Sequence, residues 1–113
     1  MNTLYMIIGL FSVGALAGIY LLALVLQTKQ TPKFVSLIHG GFVVVALTML
    51  IMYSTTNGPG PIESIVLFVM AALGGLILIY RDMTGKTMPK WLAVGHGLIA
   101  VGGFIFLLIY TFS

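Results

Sequence analysis

Four long apolar runs dominate this sequence, and they constrain its fold more than any other feature. Only 6% of the 113 residues are charged, whereas a soluble domain carries about 25%. A transmembrane helix needs about 20 mostly apolar residues, and the chain has room for four of them with short loops. We therefore expect an all-α membrane protein, a bundle of four transmembrane helices in contact with the lipid bilayer. The apolar runs cover residues 3–26, 34–53, 62–80 and 91–112.

The composition also excludes several kinds of site. The chain contains no cysteine, which rules out a covalently attached c-type haem, thiolate metal sites and disulfides. The net charge of +3 comes from only five basic residues, which are too few and too dispersed to form a nucleic-acid surface. We expect no nucleic-acid partner.

The basic residues predict how the chain is oriented. Segments 27–33 and 81–90 hold all five of them, whereas segment 54–61 holds none. Because basic loops stay on the cytoplasmic side of a membrane, we expect these two segments to be cytoplasmic and both termini to lie outside. The membrane expected for such a chain is the bacterial inner membrane.

The sequence contains an internal repeat. PKFVSLIHGG, residues 32–41, returns as PKWLAVGHGL, residues 89–98, and a shift of 57 residues aligns both halves without gaps. This predicts two tandem helical hairpins, residues 1–56 and 57–113, in one membrane domain and related by a pseudo-two-fold axis along the membrane normal. The matches least expected by chance are Lys29/Lys86, Pro32/Pro89, Lys33/Lys90 and His39/His96.

The repeat places the only two histidines at the same depth. His39 lies about six residues inside the second helix, roughly 9 Å below the interface at 1.5 Å per residue. An ionisable side chain at such a depth marks a candidate functional site. If His39 and His96 both point at the axis, they face each other across the bundle. Neutral imidazole is a good ligand for haem iron, so we expect them to be the axial metal ligands of one b-type haem.

Other residues of the repeat fit the same hypothesis. Gly40 and Gly97 stand next to the histidines and would let a porphyrin ring approach the backbone. Four lysines lie at the membrane edge nearest the histidines and would meet the haem propionates. They are Lys29, Lys33, Lys86 and Lys90.

This arrangement resembles the transmembrane b-type cytochromes, in which a four-helix core holds haem between histidine pairs. The resemblance rests on the four-helix architecture and on His39 and His96 in alternate helices. It implies an electron carrier that exchanges electrons with quinone or a redox partner, rather than a stand-alone enzyme. Many of those cytochromes hold two haems with four histidines, whereas this chain has histidines for one.

Several alternatives stay open at this stage. The histidines could only support helix packing, by bonding a backbone carbonyl or Ser36, in a structural or assembly subunit that carries no cofactor. They could also point outward and meet in a homodimer or a larger complex. A proton-coupled exporter is disfavoured, because its first helix would need an acidic residue and residues 3–26 contain none. The small-xxx-small pairs Gly14/Gly18 and Ala71/Gly75 predict close helix packing.

Overall fold

The chain folds into four α-helices. A computed structural model describes residues 2–113 and confirms the predicted all-α architecture, in which every helix is long and apolar enough to cross a membrane. Helices suit this solvent because they pair their own backbone N–H and C=O groups, which lipid cannot do. The helices are α1 (Asn2–Leu26), α2 (Lys33–Thr56), α3 (Ile62–Met83) and α4 (Lys90–Phe112).

Two helices extend further than the apolar runs predict. α2 continues through residues 54–56 and α3 through residues 81–83, both of which were expected to be loop. The polar side chains of these last turns do not break the helix, since they bond back to it. Thr55 and Thr56 both donate to the carbonyl of Met52, at 2.8 and 3.1 Å, which is a common use of threonine at helix ends.

A proline precedes three of the helices. Pro32, Pro61 and Pro89 are the N-cap residues of α2, α3 and α4. Proline is tolerated there because the first helical amides have no intrahelical acceptor to lose. Its carbonyl still accepts the first helical bond, as from the Ser36 amide to Pro32 at 3.1 Å. The predicted positions of Pro32 and Pro89 at helix starts are confirmed.

Each helix packs against two neighbours. α1 contacts α2 and α4, and α3 contacts α4 and α2, so that α1 and α3 occupy one diagonal of the bundle and α2 and α4 the other. The closest pairs are α1 with α2 and α3 with α4. The bundle measures 42 × 22 × 20 Å, and its long axis exceeds the hydrocarbon thickness of about 30 Å.

We call the end with both chain termini and the 57–61 loop the terminal end, and the end with segments 27–33 and 81–90 the basic end. The buried core lies in the terminal half. There Phe11 and Phe68 stack across the α1/α3 diagonal, with centroids 4.1 Å apart and planes 7° apart. Leu50 and Leu107 are completely buried beside them. Most other large apolar side chains are exposed, as expected for a surface in contact with lipid.

Truncation of a core leucine should lower stability more than truncation of a leucine that faces lipid. Leu50→Ala leaves a cavity in the bundle, and we expect a loss of about 2 kcal/mol, the low end for buried leucines because lipid is as apolar as the core. Leu16→Ala is the matched control, since Leu16 is 70% exposed. Helix content measured during titration with sodium dodecyl sulfate gives both values. Equal losses in the two variants would contradict the assignment of the core.

Candidate functional site

The two histidines face each other across the centre of the bundle. His39 extends from α2 and His96 from α4, the two helices of one diagonal. Their ring centroids are 6.1 Å apart, and the ring planes are nearly perpendicular at 83°. The histidines therefore meet inside one chain. Neither histidine is fully buried, so the space around the rings is not sealed.

Each ring is fixed by a hydrogen bond to the partner helix of its own hairpin. Nδ1 of His39 lies 2.7 Å from the carbonyl oxygen of Gly14 on α1, and Nδ1 of His96 lies 2.7 Å from that of Ala71 on α3. A carbonyl oxygen only accepts, so both Nδ1 atoms are assigned the hydrogen and donate it. In the neutral ring this leaves Nε2 unprotonated, with a lone pair available to a ligand.

Glycines one turn further along α1 and α3 make room for the rings. A Cβ at Gly18 would lie 2.8 Å from Cε1 of His39, and a Cβ at Gly75 would lie 3.1 Å from Cε1 of His96. The first distance is shorter than real Cβ contacts allow, so any larger residue at position 18 would displace the His39 ring from this position. The small-xxx-small pairs therefore do more than bring helices together: they supply the carbonyl and the space that each histidine needs.

These contact residues were missed as site residues by the sequence analysis. Their signal was present, because Gly14 and Gly18 align with Ala71 and Gly75 at the same 57-residue shift that aligns the histidines. A backbone carbonyl has no side-chain signature, however. The pattern could therefore predict close packing without indicating that a histidine is the group being packed.

Gly40 and Gly97, the predicted neighbours of the porphyrin, lie in more open surroundings. A Cβ at Gly40 would meet no atom within 4 Å, and a Cβ at Gly97 would meet only Leu22, at 3.8 Å. Their assignment to a cofactor stays a prediction. The small residues that contact the rings across the helix interfaces belong to α1 and α3 instead.

The four predicted lysines all lie at the basic end. Lys29, Lys86 and Lys90 are exposed, and Lys86 Nζ lies 5.4 Å from the centroid of the Tyr80 ring. Lys33 is held differently, because its Nζ is 3.1 Å from Oδ1 of Asp82 and 3.1 Å from the Asp82 carbonyl oxygen. This ion pair links α2 to α3.

The histidine pair offers a metal only two protein ligands, so a metal bound there would need further ligands from another source. Residues 2–113 contain no group of three or more His, Cys, Asp or Glu side chains placed to hold a metal ion, so the histidine pair stands alone. A metal–imidazole bond of about 2.0–2.1 Å, plus the half-width of each ring, separates two opposed imidazole centroids by roughly 6 Å. The observed centroid distance is 6.1 Å, and the assignment of a haem to this pair stays a prediction.

No protein-family model matches the chain, and no curated protein or solved structure matches it. The geometry of the histidine pair is therefore the basis for a functional proposal.

Substitution of Gly18 should test the contact with His39. In Gly18→Ala the new methyl group must displace the imidazole, and we expect a loss of about 1–3 kcal/mol, the range for an overpacked interior. Gly40→Ala adds the same methyl group in open space and should change stability by less than about 1 kcal/mol. Detergent unfolding followed by circular dichroism measures both, and equal stability of the two variants would argue against this contact.

Proposed function

We propose that this chain is a membrane-embedded b-type haem protein that holds a single haem between His39 and His96. The observation that carries the proposal is the opposition of two imidazoles from diagonal helices, 6.1 Å apart, each with Nδ1 donating to a carbonyl. Ligating histidines usually donate their second N–H in this way, which fixes the ring and raises its basicity as a ligand. The arrangement therefore prepares both Nε2 atoms for one metal.

The surrounding residues would each have a part in binding. The carbonyls of Gly14 and Ala71 would hold the tautomer, and Gly18 and Gly75 leave room for the Cε1 edges of the rings against α1 and α3. The exposed lysines of the basic end lie on the side where the propionates would reach water.

The proposed use is electron transfer. Bound haem supplies a one-electron iron couple, and two axial histidines leave no open position for oxygen. The histidines lie nearer the basic end, so one haem there cannot carry electrons across the bilayer by itself. We therefore propose exchange with quinone or with a redox partner subunit, in the chain alone or in a larger assembly.

A second candidate function rests on the same hydrogen bonds. The bonds from His39 to Gly14 and from His96 to Ala71 join the two helices of each hairpin, and polar bonds of this kind stabilise helix packing in lipid. A structural or assembly subunit without a cofactor would need nothing more. The two candidates differ in what Nε2 does, and the spectroscopic test below separates them.

We also propose that the two hairpins are related by a pseudo-two-fold axis along the membrane normal. Contacts separated by 57 residues support it: both histidine–carbonyl bonds, the stacked Phe11 and Phe68, and the turns that end α1 and α3. Those turns place Thr28 and Gly85 in the left-handed region, with φ of 57° and 74°. The axis would pass between the paired rings.

The first test of the haem proposal is the visible spectrum of the detergent-purified protein after incubation with haemin. We expect a Soret band, with sharp α and β bands after reduction, that is lost in His39→Ala and in His96→Ala because six-coordination needs both ligands. Thr48→Ala is the control, since Thr48 is exposed and bonds only within its own helix. A wild-type protein that stays colourless would contradict the proposal and favour the structural subunit.

The proposed topology has both termini outside and the basic end in the cytoplasm of a bacterial cell, as the positive-inside rule predicts. Because the chain lacks cysteine, a single introduced cysteine can show on which side of the membrane its loop lies. In intact cells a membrane-impermeant maleimide should label Asn57→Cys, in the loop between α2 and α3, but not Gln30→Cys, between α1 and α2. Gln30→Cys should react after permeabilisation. The reverse pattern would invert the orientation.

A further inference from the structure

The two copies of the repeated Pro-Lys-aromatic motif differ in what their lysines contact. Lys33 pairs with Asp82 at the end of α3. The repeat counterpart of Asp82 is Val25, a buried apolar residue near the end of α1. Lys90, the counterpart of Lys33, therefore has no carboxylate in the equivalent place. The only other acid of the chain is Glu63, in the first turn of α3 at the terminal end.

Two helix–helix interfaces therefore differ at the basic end. We call them the α2/α3 seam and the α1/α4 seam. The α2/α3 seam is closed by an internal ion pair, whereas the α1/α4 seam presents the exposed Lys90 at the start of α4. α1 and α4 are neighbours in the bundle, and Leu22 approaches Gly97 between them. Lys29, in the loop that follows α1, is a second exposed lysine at the basic end.

An aromatic side chain of the kind found at membrane interfaces follows Lys90 in the sequence. Trp91, next to Lys90, is 76% exposed and is the only tryptophan of the chain. Tryptophan is enriched at the level of lipid headgroups because its ring is apolar and its N–H is polar. Lysines beside such an anchor lie where the phosphate groups of lipids are, and anionic lipids attract basic residues close to the surface.

We propose that the α1/α4 seam of the basic end binds the headgroup of an anionic phospholipid, with Lys90 as the main contact, Lys29 as a second cation and Trp91 at the headgroup level. Charge complementarity carries the assignment: Val25 stands where a carboxylate would pair with Lys90, and Lys29 is a second exposed cation at the same end. The α2/α3 seam has the same motif but its lysine is neutralised, so it serves as an internal control. The proposal does not depend on haem binding.

Trp91 provides a local readout. The protein is reconstituted in phosphatidylcholine vesicles that contain increasing fractions of brominated phosphatidylglycerol, which quenches nearby tryptophan. In the reverse mixture, brominated phosphatidylcholine in phosphatidylglycerol, the quenching of Trp91 measures how well phosphatidylcholine competes for the same place. We expect the wild type to favour phosphatidylglycerol at least about fivefold, the factor associated with one basic residue near an anionic surface.

Matched variants decide whether the site is specific. Lys90→Gln should abolish the preference, Lys90→Arg should keep it, and Lys33→Gln, which removes the same net charge, should change it less than about twofold. Circular dichroism checks that each variant keeps its helices. Equal losses in Lys90→Gln and Lys33→Gln would overturn the proposal, because they would indicate attraction by the overall positive charge of the basic end. A wild type without any preference for phosphatidylglycerol would also overturn it.

Removal of the ion pair should create a second site. Asp82→Asn releases Lys33, and we expect native mass spectrometry to detect one additional bound phosphatidylglycerol compared with the wild type. In Asp82→Asn combined with Lys33→Gln the additional lipid should be lost again. An unchanged number of bound lipids in Asp82→Asn would show that the ion pair does not distinguish the two seams, and would contradict the proposal.

Discussion

The hydrogen bonds from the two histidines to helix carbonyls are the interactions on which the rest of this structure depends. In lipid the buried N–H of an imidazole needs an acceptor, and the carbonyls of Gly14 and Ala71 provide one each. A distance of 2.7 Å to a helix backbone requires that the two helices approach closely, and the glycine at position 18 leaves the space that the His39 ring occupies. The bond thereby sets the packing of each hairpin, and the other nitrogen of each ring lies close to the next turn of the same helix, 3.7 Å from a Cβ placed at Gly18 and 3.8 Å from one placed at Gly75.

Each copy of the repeat contains one histidine–carbonyl bond, whereas some of the surrounding contacts differ between the two copies. The histidine pair crosses one diagonal of the bundle and the stacked phenylalanine pair crosses the other, so residues 57 positions apart meet at the centre. The copies differ away from that centre. Ser64 donates to the Gly103 carbonyl at 2.7 Å, whereas the aligned residues of the first half are the apolar Ile7 and Ala46. The Lys33–Asp82 pair likewise has no equivalent. The contacts at the centre of the bundle are thus the same in both halves, whereas contacts nearer its ends differ between them.

The sequence was sufficient to predict the four helices and the common depth of the histidines, because lipid permits few alternatives to a continuous helix and the repeat fixes equivalent positions. It was not sufficient for contacts that involve backbone atoms. Nothing in the side chain of Gly14 distinguishes a carbonyl that binds a histidine from one that does not. The Lys33–Asp82 pair was missed for a different reason: segment 81–90 was expected to be loop, and only the continuation of α3 through Asp82 places its carboxylate beside α2.

The two proposed functions differ in the role that they give to the unprotonated Nε2 atoms. A histidine that serves only to join two helices satisfies its purpose through Nδ1, and no residue among 2–113 forms a hydrogen bond with Nε2 of either ring. Neither Nε2 atom is among the buried polar atoms of residues 2–113 that lack a hydrogen-bond partner, so burial alone does not require a ligand for them. A serine or threonine could join the helices through one hydrogen bond with less unused polarity. Under the haem proposal a metal between the rings would bind both nitrogens, whereas under the structural proposal Nε2 of each ring has no role.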